Sequence, residues 1–543
     1  MEFLRKRAGI VLVWFVLFAG VCEGGPLLTA LEESRYTQLT SSAEVSAFLA
    51  QLSQQYPFAQ KLTIATSALG YPIDALLVAS DISRFKTGDT TDHKMTLMLV
   101  GSQHGMEPSG AEALLLVARD LVTGDLRPYL EEMNIILIPN SNPDGRNRNR
   151  RVNGNGVNLS TNFIILSEPE SRGIIDALHR WKPEVLLDVH ESAVLKKKSL
   201  GKQGYLTDFE AQFEAANNPN VDSRIRSFSF ERLLPEVIEL VKTRGLPAQR
   251  YIGEITSIHQ PITHGGLSLR NLRNMAGILG SFSFLLENRL DPASGIYPTP
   301  RNIRARVSKQ YLCIRAFLEC CHKHRLKIMG LCRDVRMRWE NPRDQEPIYL
   351  SFTHASAPNR PYITLPLRRI DTGAMIQHTF RYRGSVEYHS QLPPTSAYII
   401  TAHQDLIREI LDRHHIPCDT LSHDMEALAE VQHDPNRQGM TGNAEGHRSP
   451  CPITQPLEKR IFHPGDLRIS LRQPARRLIP LLLDLQSACT IFNSREYGHL
   501  VKNQQAPFVF RIPGSPLKIT AASTRESYHC AESARFTCRP LTP

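Results

Sequence analysis

The sequence predicts an α/β protein, a mixed open sheet with helices on both faces, followed by a small β-rich C-terminal unit. Three observations carry that prediction. Between residues 30 and 325, short apolar runs alternate with helical stretches. The runs are continuously apolar rather than alternating, as expected of strands covered on both faces. After about residue 335 the texture changes to Pro-punctuated runs rich in Thr, Tyr and Ile. In order, Thr96–Gly101, Asn134–Pro139, Glu184–Val189 and Ser281–Leu286 are the predicted core strands. The intervening helices are predicted over Ser109–Leu121, where Pro108 stands at the start and its missing N–H costs little, then over Pro169–Trp181 and Phe230–Lys242. A last helix over Arg304–His324 closes this region. In 335–430, Tyr362–Pro366 and Ala397–Thr401 are the clearest strands, and a helix follows near Gln404–His414. From 435 to 543 the chain is rich in Pro, Arg and Ser, with one apolar island at Leu478–Leu485, and the sequence assigns no structure to this tail.

Composition narrows the class. Of 543 residues, 41% are hydrophobic, which excludes disorder over the whole length. Ten Cys without C-x-x-C spacing exclude a zinc ribbon or a thioredoxin-type pair. A net charge of +10 invites a nucleic-acid reading, but the basic residues are dispersed and no aromatic-interleaved basic motif occurs, so no nucleic-acid partner is expected. Residues 1–25 place Arg5, Lys6 and Arg7 before an apolar run from Ala8 to Val21 and small residues after it. That is the order of a secretory signal peptide, and the run is short for a spanning helix. The expectation is a secreted or periplasmic chain with no membrane span once processed; an uncleaved anchor or a lipidated Cys22 is the alternative. Cys320 and Cys321 read as buried thiols.

The chemistry concentrates where strands end. In GSQHGMEP (Gly101–Pro108), His104 and Glu107 lie on the loop between a strand and a helix, at the edge where open α/β sheets build sites. Imidazole nitrogen and carboxylate oxygen are both good zinc ligands, and a catalytic zinc keeps three protein ligands. The third candidate is His190, in DVHES at the end of another strand; Asp188 projects on the same side and is a candidate partner for it. Between them, Asn140–Phe163 forms a Gly/Asn/Pro-rich loop presenting Arg146, Arg148, Arg150 and Arg151.

The ordered set of H-x-x-E, N-P-D-G, an arginine ahead of Val157-Asn158-Leu159, and a strand-borne His resembles the zinc carboxypeptidases of the M14 type, in particular secreted members of bacterial type. The resemblance spans about residues 35–325. It implies one zinc per chain held by His104, Glu107 and His190, Arg151 stabilising the oxyanion, and Glu287, in SFSFLLENR, activating the attacking water. It also implies a zinc carboxypeptidase-like fold for residues 30–325 and a peptide as substrate.

Two departures concern specificity. Where the family has Asp-Leu-Asn-Arg-Asn-Phe, this chain has Asn158-Leu159-Ser160-Thr161-Asn162-Phe163, so the pair that grips a terminal carboxylate is Ser160-Thr161, which cannot make a charged bidentate contact. No tyrosine precedes Glu287 at the family's distance; His264 and Arg270 are the polar candidates there. With Arg148 they complete the expected substrate-binding set. The competing readings are an N-acyl amino acid deacylase on the same scaffold and a non-catalytic peptide-binding protein. Oligomeric state is not legible.

Overall fold

The computed structural model describes residues 27–193, 198–290, 302–340, 346–432, 457–502 and 506–514. The expected signal peptide at 1–25 lies outside them. Nine strands come first: β1 (Ala59–Thr66), β2 (Pro72–Val78), β3 (Met95–Gly101), β4 (Met133–Ile138), β5 (Val185–Ser192), β6 (Tyr205–Thr207), β7 (Ala211–Ala215), β8 (Ala248–Arg250) and β9 (Phe282–Arg289). All but β6 form one sheet in the order β1-β2-β4-β3-β5-β9-β7-β8. Its centre is parallel, β4-β3-β5-β9, with antiparallel neighbours on either side, so the sheet is mixed as predicted.

Each face buries its own core. Leu97, Leu99, Val185, Leu187, Val189, Phe213 and Leu286 point one way, against the helices Ser42–Gln55, Pro108–Thr123, Leu234–Thr243 and Ile303–Glu340. Met98, Val100, Ile136 and Leu186 point the other way, against the helices Pro169–Trp181 and Leu272–Ile278. On β5, β9 and β7 this second face turns polar: Asp188 and His190, Glu287, and Gln212 and Glu214 replace the apolar residues. The period-two alternation of a strand makes that separation possible, since the opposite face of the same strands stays apolar.

One expectation about the C-terminal half needs correction. The closing helix does not end at His324 but continues to Glu340, because Ile328, Cys332, Val335 and Trp339 keep helical spacing and are buried. The region beyond 435, to which the sequence assigns no structure, contributes to an ordered sheet. Here β14 (Thr395–Ile400), β15 (Asp419–Thr420), β16 (Met425–Val431), β17 (Leu457–Phe462), β18 (Leu467–Ser470) and β19 (Val509–Pro513) pair in the order β15-β18-β14-β19-β16-β17. The apolar island becomes the helix Leu478–Leu483, wholly buried with Tyr398, Ile407 and Val509 in the same core cluster as Met98 and Ile136. Between the two halves, β10 (Tyr349–Ala355) pairs with β13 (Ser385–Gln391), while β11 (Tyr362–Arg369) pairs with both β12 (Met375–Arg381) and β6. The later strands are therefore stitched into the first sheet's surroundings rather than hung from them. Among the described residues no helix is long and apolar enough to cross a membrane.

Candidate metal centre

The loop after β3 is shaped before any ligand is considered. Ser102 takes a left-handed backbone (φ 56°), an uncommon conformation for a residue with a Cβ. Gly105 packs so closely on the 142–146 turn that a Cβ there would lie 2.0 Å from the Gly145 carbonyl carbon. The N-P-D-G residues hold this arrangement. Asn142 donates to the Gln103 carbonyl (2.9 Å) and accepts from Gly145 N (2.8 Å), while buried Asp144 accepts from Ser67 Oγ (2.6 Å) and from the Leu69 and Gly154 amides. Glu107 caps the helix Pro108–Thr123 without a side-chain cap bond, so its carboxylate is free to face the sheet.

There it meets both histidines. Glu107 Oε1 is 2.8 Å from His104 Nδ1 and Oε2 is 3.0 Å from His190 Nδ1, while the two Nδ1 atoms lie 3.2 Å apart. All three side chains are buried. Ligand atoms about 2.0–2.2 Å from a tetrahedral zinc stand roughly 3.3 Å from one another, so this donor set fits the ion. The far side of each ring is engaged too: His190 Nε2 faces Asp188 Oδ1 at 2.9 Å, and His104 Nε2 faces Ser160 Oγ at 2.8 Å and Asn158 Oδ1 at 3.1 Å. An Nε2–H donated to those oxygens leaves each Nδ1 lone pair pointing at the shared centre. Gln103 Nε2 donates to Asp188 at 2.5 Å and holds it in place. Burial lowers the His104 pKa, with Glu107 opposing; at His190 burial is outweighed by Asp188 and Glu107, which raise it well above the ordinary value. Burial works against the Glu107 carboxylate as well, but the two imidazoles hold its pKa well below the usual range.

Glu287 sits directly opposite His190 in the β5–β9 register. Its Oε2 is buried with no hydrogen-bond partner among the described residues, and burial pushes its pKa up to about 7. Arg151 reaches in from solvent: half of its side chain is exposed, and Nη1 is 3.4 Å from Glu107 Oε1. Glu191, also buried, is a structural acid, held by Arg306 (2.8 and 2.9 Å) and by the Ser109 amide.

The expected substrate-binding residues divide. Ser160 is at the centre, but as a partner of His104. Thr161 is exposed and bonds its own turn through the Asn158 carbonyl. Arg270 is exposed and leans on the Thr161 carbonyl at 3.5 Å. Arg148 is exposed and forms no ion pair among the described residues. His264 does not face the substrate side as an open group: buried, it is pinned between the Tyr251 carbonyl (2.7 Å) and Tyr382 Oη (2.5 Å), and burial lowers its pKa well below the ordinary value. The local sequence gave no sign of Tyr382, which arrives from beyond β12. Sequence reasoning also missed Tyr251, Glu214 and Arg273, which no local motif marks.

A second cluster, Glu236, Cys320 and His324, brings ligand atoms together on two helices. Its carboxylate is already neutralised by Lys323 (2.7 Å) and Arg232 (3.4 Å), and burial pushes the Cys320 thiol up to about 12, so it keeps its proton. Cys313, Cys320, Cys321, Cys332, Cys418 and Cys489 are free thiols.

Comparison with known proteins gives a consistent set of relatives. Residues 45–173 match the family model described as zinc carboxypeptidase, a segment that contains His104, Glu107 and Arg151 but stops short of His190 and Glu287. The chain is 28% identical over 204 residues to probable carboxypeptidase 2 of Arthroderma benhamiae, covering 37% of this chain and 38% of that protein. It is 27% identical over 169 residues to carboxypeptidase D of Mus musculus, covering 28% of this chain and 12% of that one. The chain thus spans little more than a third of the first of these relatives and far less of the second. Among solved structures, a metallo-carboxypeptidase from Burkholderia cenocepacia aligns with a TM-score of 0.40 at 18% identity, over 52% of this chain and 69% of that one.

Proposed function

We propose that the chain, which matches the zinc carboxypeptidase model over residues 45–173, is an exported, zinc-dependent peptidase of that family that hydrolyses an amide bond in a peptide. The observation that carries the reading is the convergence of His104 Nδ1, His190 Nδ1 and the Glu107 carboxylate beside the half-buried Glu287 carboxyl on the adjacent strand. Zinc held by those three side chains would polarise the scissile carbonyl and lower the pKa of the attacking water. Asp188 and Ser160 fix the two imidazoles in the tautomer that leaves Nδ1 free. Glu287 takes the proton from the attacking water and returns it to the leaving amine; a carboxyl pushed up to about 7 suits a group that must do both near neutral pH. Arg151, exposed enough to swing from Glu107, supplies the positive charge for the developing oxyanion. Export rests on the charged-then-apolar order of residues 1–25.

The test is Glu287→Gln, an isostere that cannot accept the proton and removes no ligand. Loss of a general base costs about 10²–10⁴ in rate, so peptide hydrolysis should fall by at least a hundredfold while bound zinc stays at the wild-type level. Undiminished hydrolysis in that variant would remove Glu287 from the mechanism.

A further inference from the structure

Beside the metal centre, on the same polar face of the sheet, lies a buried charge that the proposed chemistry does not use. The β9–β7 register sets Glu287 opposite Gln212, and β7–β8 sets Gln212 opposite Gln249. Tyr251 continues β8 by donating its amide to the Phe213 carbonyl at 2.8 Å, which brings its side chain onto the face that carries Glu287. Gly265 packs against that ring in a left-handed conformation (φ 79°): a Cβ there would stand 3.0 Å from Tyr251 Cε1 and 3.5 Å from Arg273 Nη2. The Arg273 guanidinium therefore sits just behind Gly265, next to Tyr251.

Arg273 is buried, with 3% of its surface exposed. Both of its hydrogen bonds come from Nη2 and go to neutral oxygens, Asn217 Oδ1 at 3.1 Å and the Gly266 carbonyl at 3.3 Å. Nε is enclosed without a partner, Nη1 makes no hydrogen bond, and no carboxylate lies within ion-pair distance among the described residues. The nearest acid in the patch, Glu214, is committed to Arg250 through contacts of 2.9 and 3.1 Å. Arg273 therefore feels Glu214 and Asp188 only at a distance and has no carboxylate in direct contact among the described residues. A buried guanidinium without a direct anionic partner is costly to hold, and a carboxylate that enters beside it relieves that cost.

No charged pair for a substrate carboxylate stands at Ser160-Thr161, and a guanidinium without a carboxylate in contact among the described residues lies next to Tyr251, whose ring is on the face that carries Glu287. We propose that Arg273 receives a carboxylate of the substrate, in place of the side chains missing at Ser160 and Thr161. The inference rests on the peptidase reading for the word substrate, but not for the binding itself. A carboxylate could reach Arg273 from the α-carboxyl of a C-terminal residue or from an acidic side chain at that residue; the guanidinium recognises the same group in both.

The experiment is calorimetric binding of three small probes to the full chain, as isolated and after metal removal by chelation. The probes are N-acetylglutamine, N-acetylglutamate α-amide and N-acetylglutamine amide. At least one of the two acids should bind ten-fold or more tightly than the uncharged probe, and which acid does so identifies the source of the carboxylate. Arg273→Met should abolish the preference, Arg273→Lys should keep part of it with unchanged thermal stability, and Arg270→Met should leave it intact. Equal binding of all three probes to the wild type overturns the proposal, as does a preference that survives Arg273→Met or is lost in Arg270→Met. Should Arg273→Met fail to fold, the Lys and Arg270 variants decide between the same outcomes. Because binding is read without turnover, a chain that binds acids but hydrolyses nothing refutes the peptidase reading and leaves Arg273 standing; hydrolysis with no acid preference does the reverse.

Discussion

Replacing Asp188 with Asn tests whether the metal centre depends on the group behind it. The Asp188 carboxylate accepts from His190 Nε2 at 2.9 Å and from Gln103 Nε2 at 2.5 Å. Both donors meet the same oxygen, Oδ1, so Asn can still accept from each, but as a neutral rather than a charged acceptor. A hydrogen bond to a charged group contributes about 1.5–3 kcal/mol, against roughly 0.5–1.5 for a neutral one. The difference, about 1–1.5 kcal/mol, falls on the state in which His190 offers Nδ1 to the metal. At about 1.4 kcal/mol per factor of ten, zinc affinity should drop roughly 5- to 12-fold, at the lower end of the range usual for partners of metal-bound histidines. The assay is competition with a chelator of known affinity on the purified chain, alongside thermal unfolding of the metal-free protein. A merely structural Asp188 would lower the melting temperature and leave the affinity alone. Affinity within threefold of wild type in a folded variant would refute the reasoning.

Two further expectations concern the scaffold. Burial pushes His179 and His414 down to about 4, so both are neutral in the native state, and the stability this provides is complete above pH 6.5 and lost as pH falls toward 4. Each should cost about 2 kcal/mol between pH 7 and pH 5; urea unfolding of the chelated protein should show the loss, His179→Phe should reduce it, and a rise in stability on acidification would contradict it. Removing residues 348–543 should abolish cooperative folding, since it uncovers the sheet face that Tyr398, Ile407, Leu481 and Val509 share with Met98 and Ile136; a truncated monomer with a sharp unfolding transition would show that the first sheet needs no cover.

The parts of this protein that were legible in the sequence are those set by neighbours in the chain. Pro108 and the apolar period after it mark a helix start, and His104, Glu107 and His190 stand where strands run out, so their convergence follows from adjacent parallel strands. The long helix was underestimated because its second half pairs a sparse apolar stripe, Ile328, Cys332, Val335 and Trp339, with a heavily charged surface. The β14–β19 and β16–β17 pairings join segments far apart in the chain, with no short turn to announce them. The same distance hid the role of His264, which depends on Tyr382. No local motif sets Arg273 apart from Arg270; only the fold shows that it is buried with no carboxylate in contact among the described residues.

Elemental analysis of the wild type and of His190→Ala, purified side by side and dialysed against equimolar zinc, tests the metal centre itself. One zinc per wild-type chain is expected, and less than a tenth of that in the variant, because a carboxylate and a single imidazole seldom retain the ion. Full zinc in His190→Ala, or a wild-type chain that takes up none, would contradict a centre built from His104, Glu107 and His190.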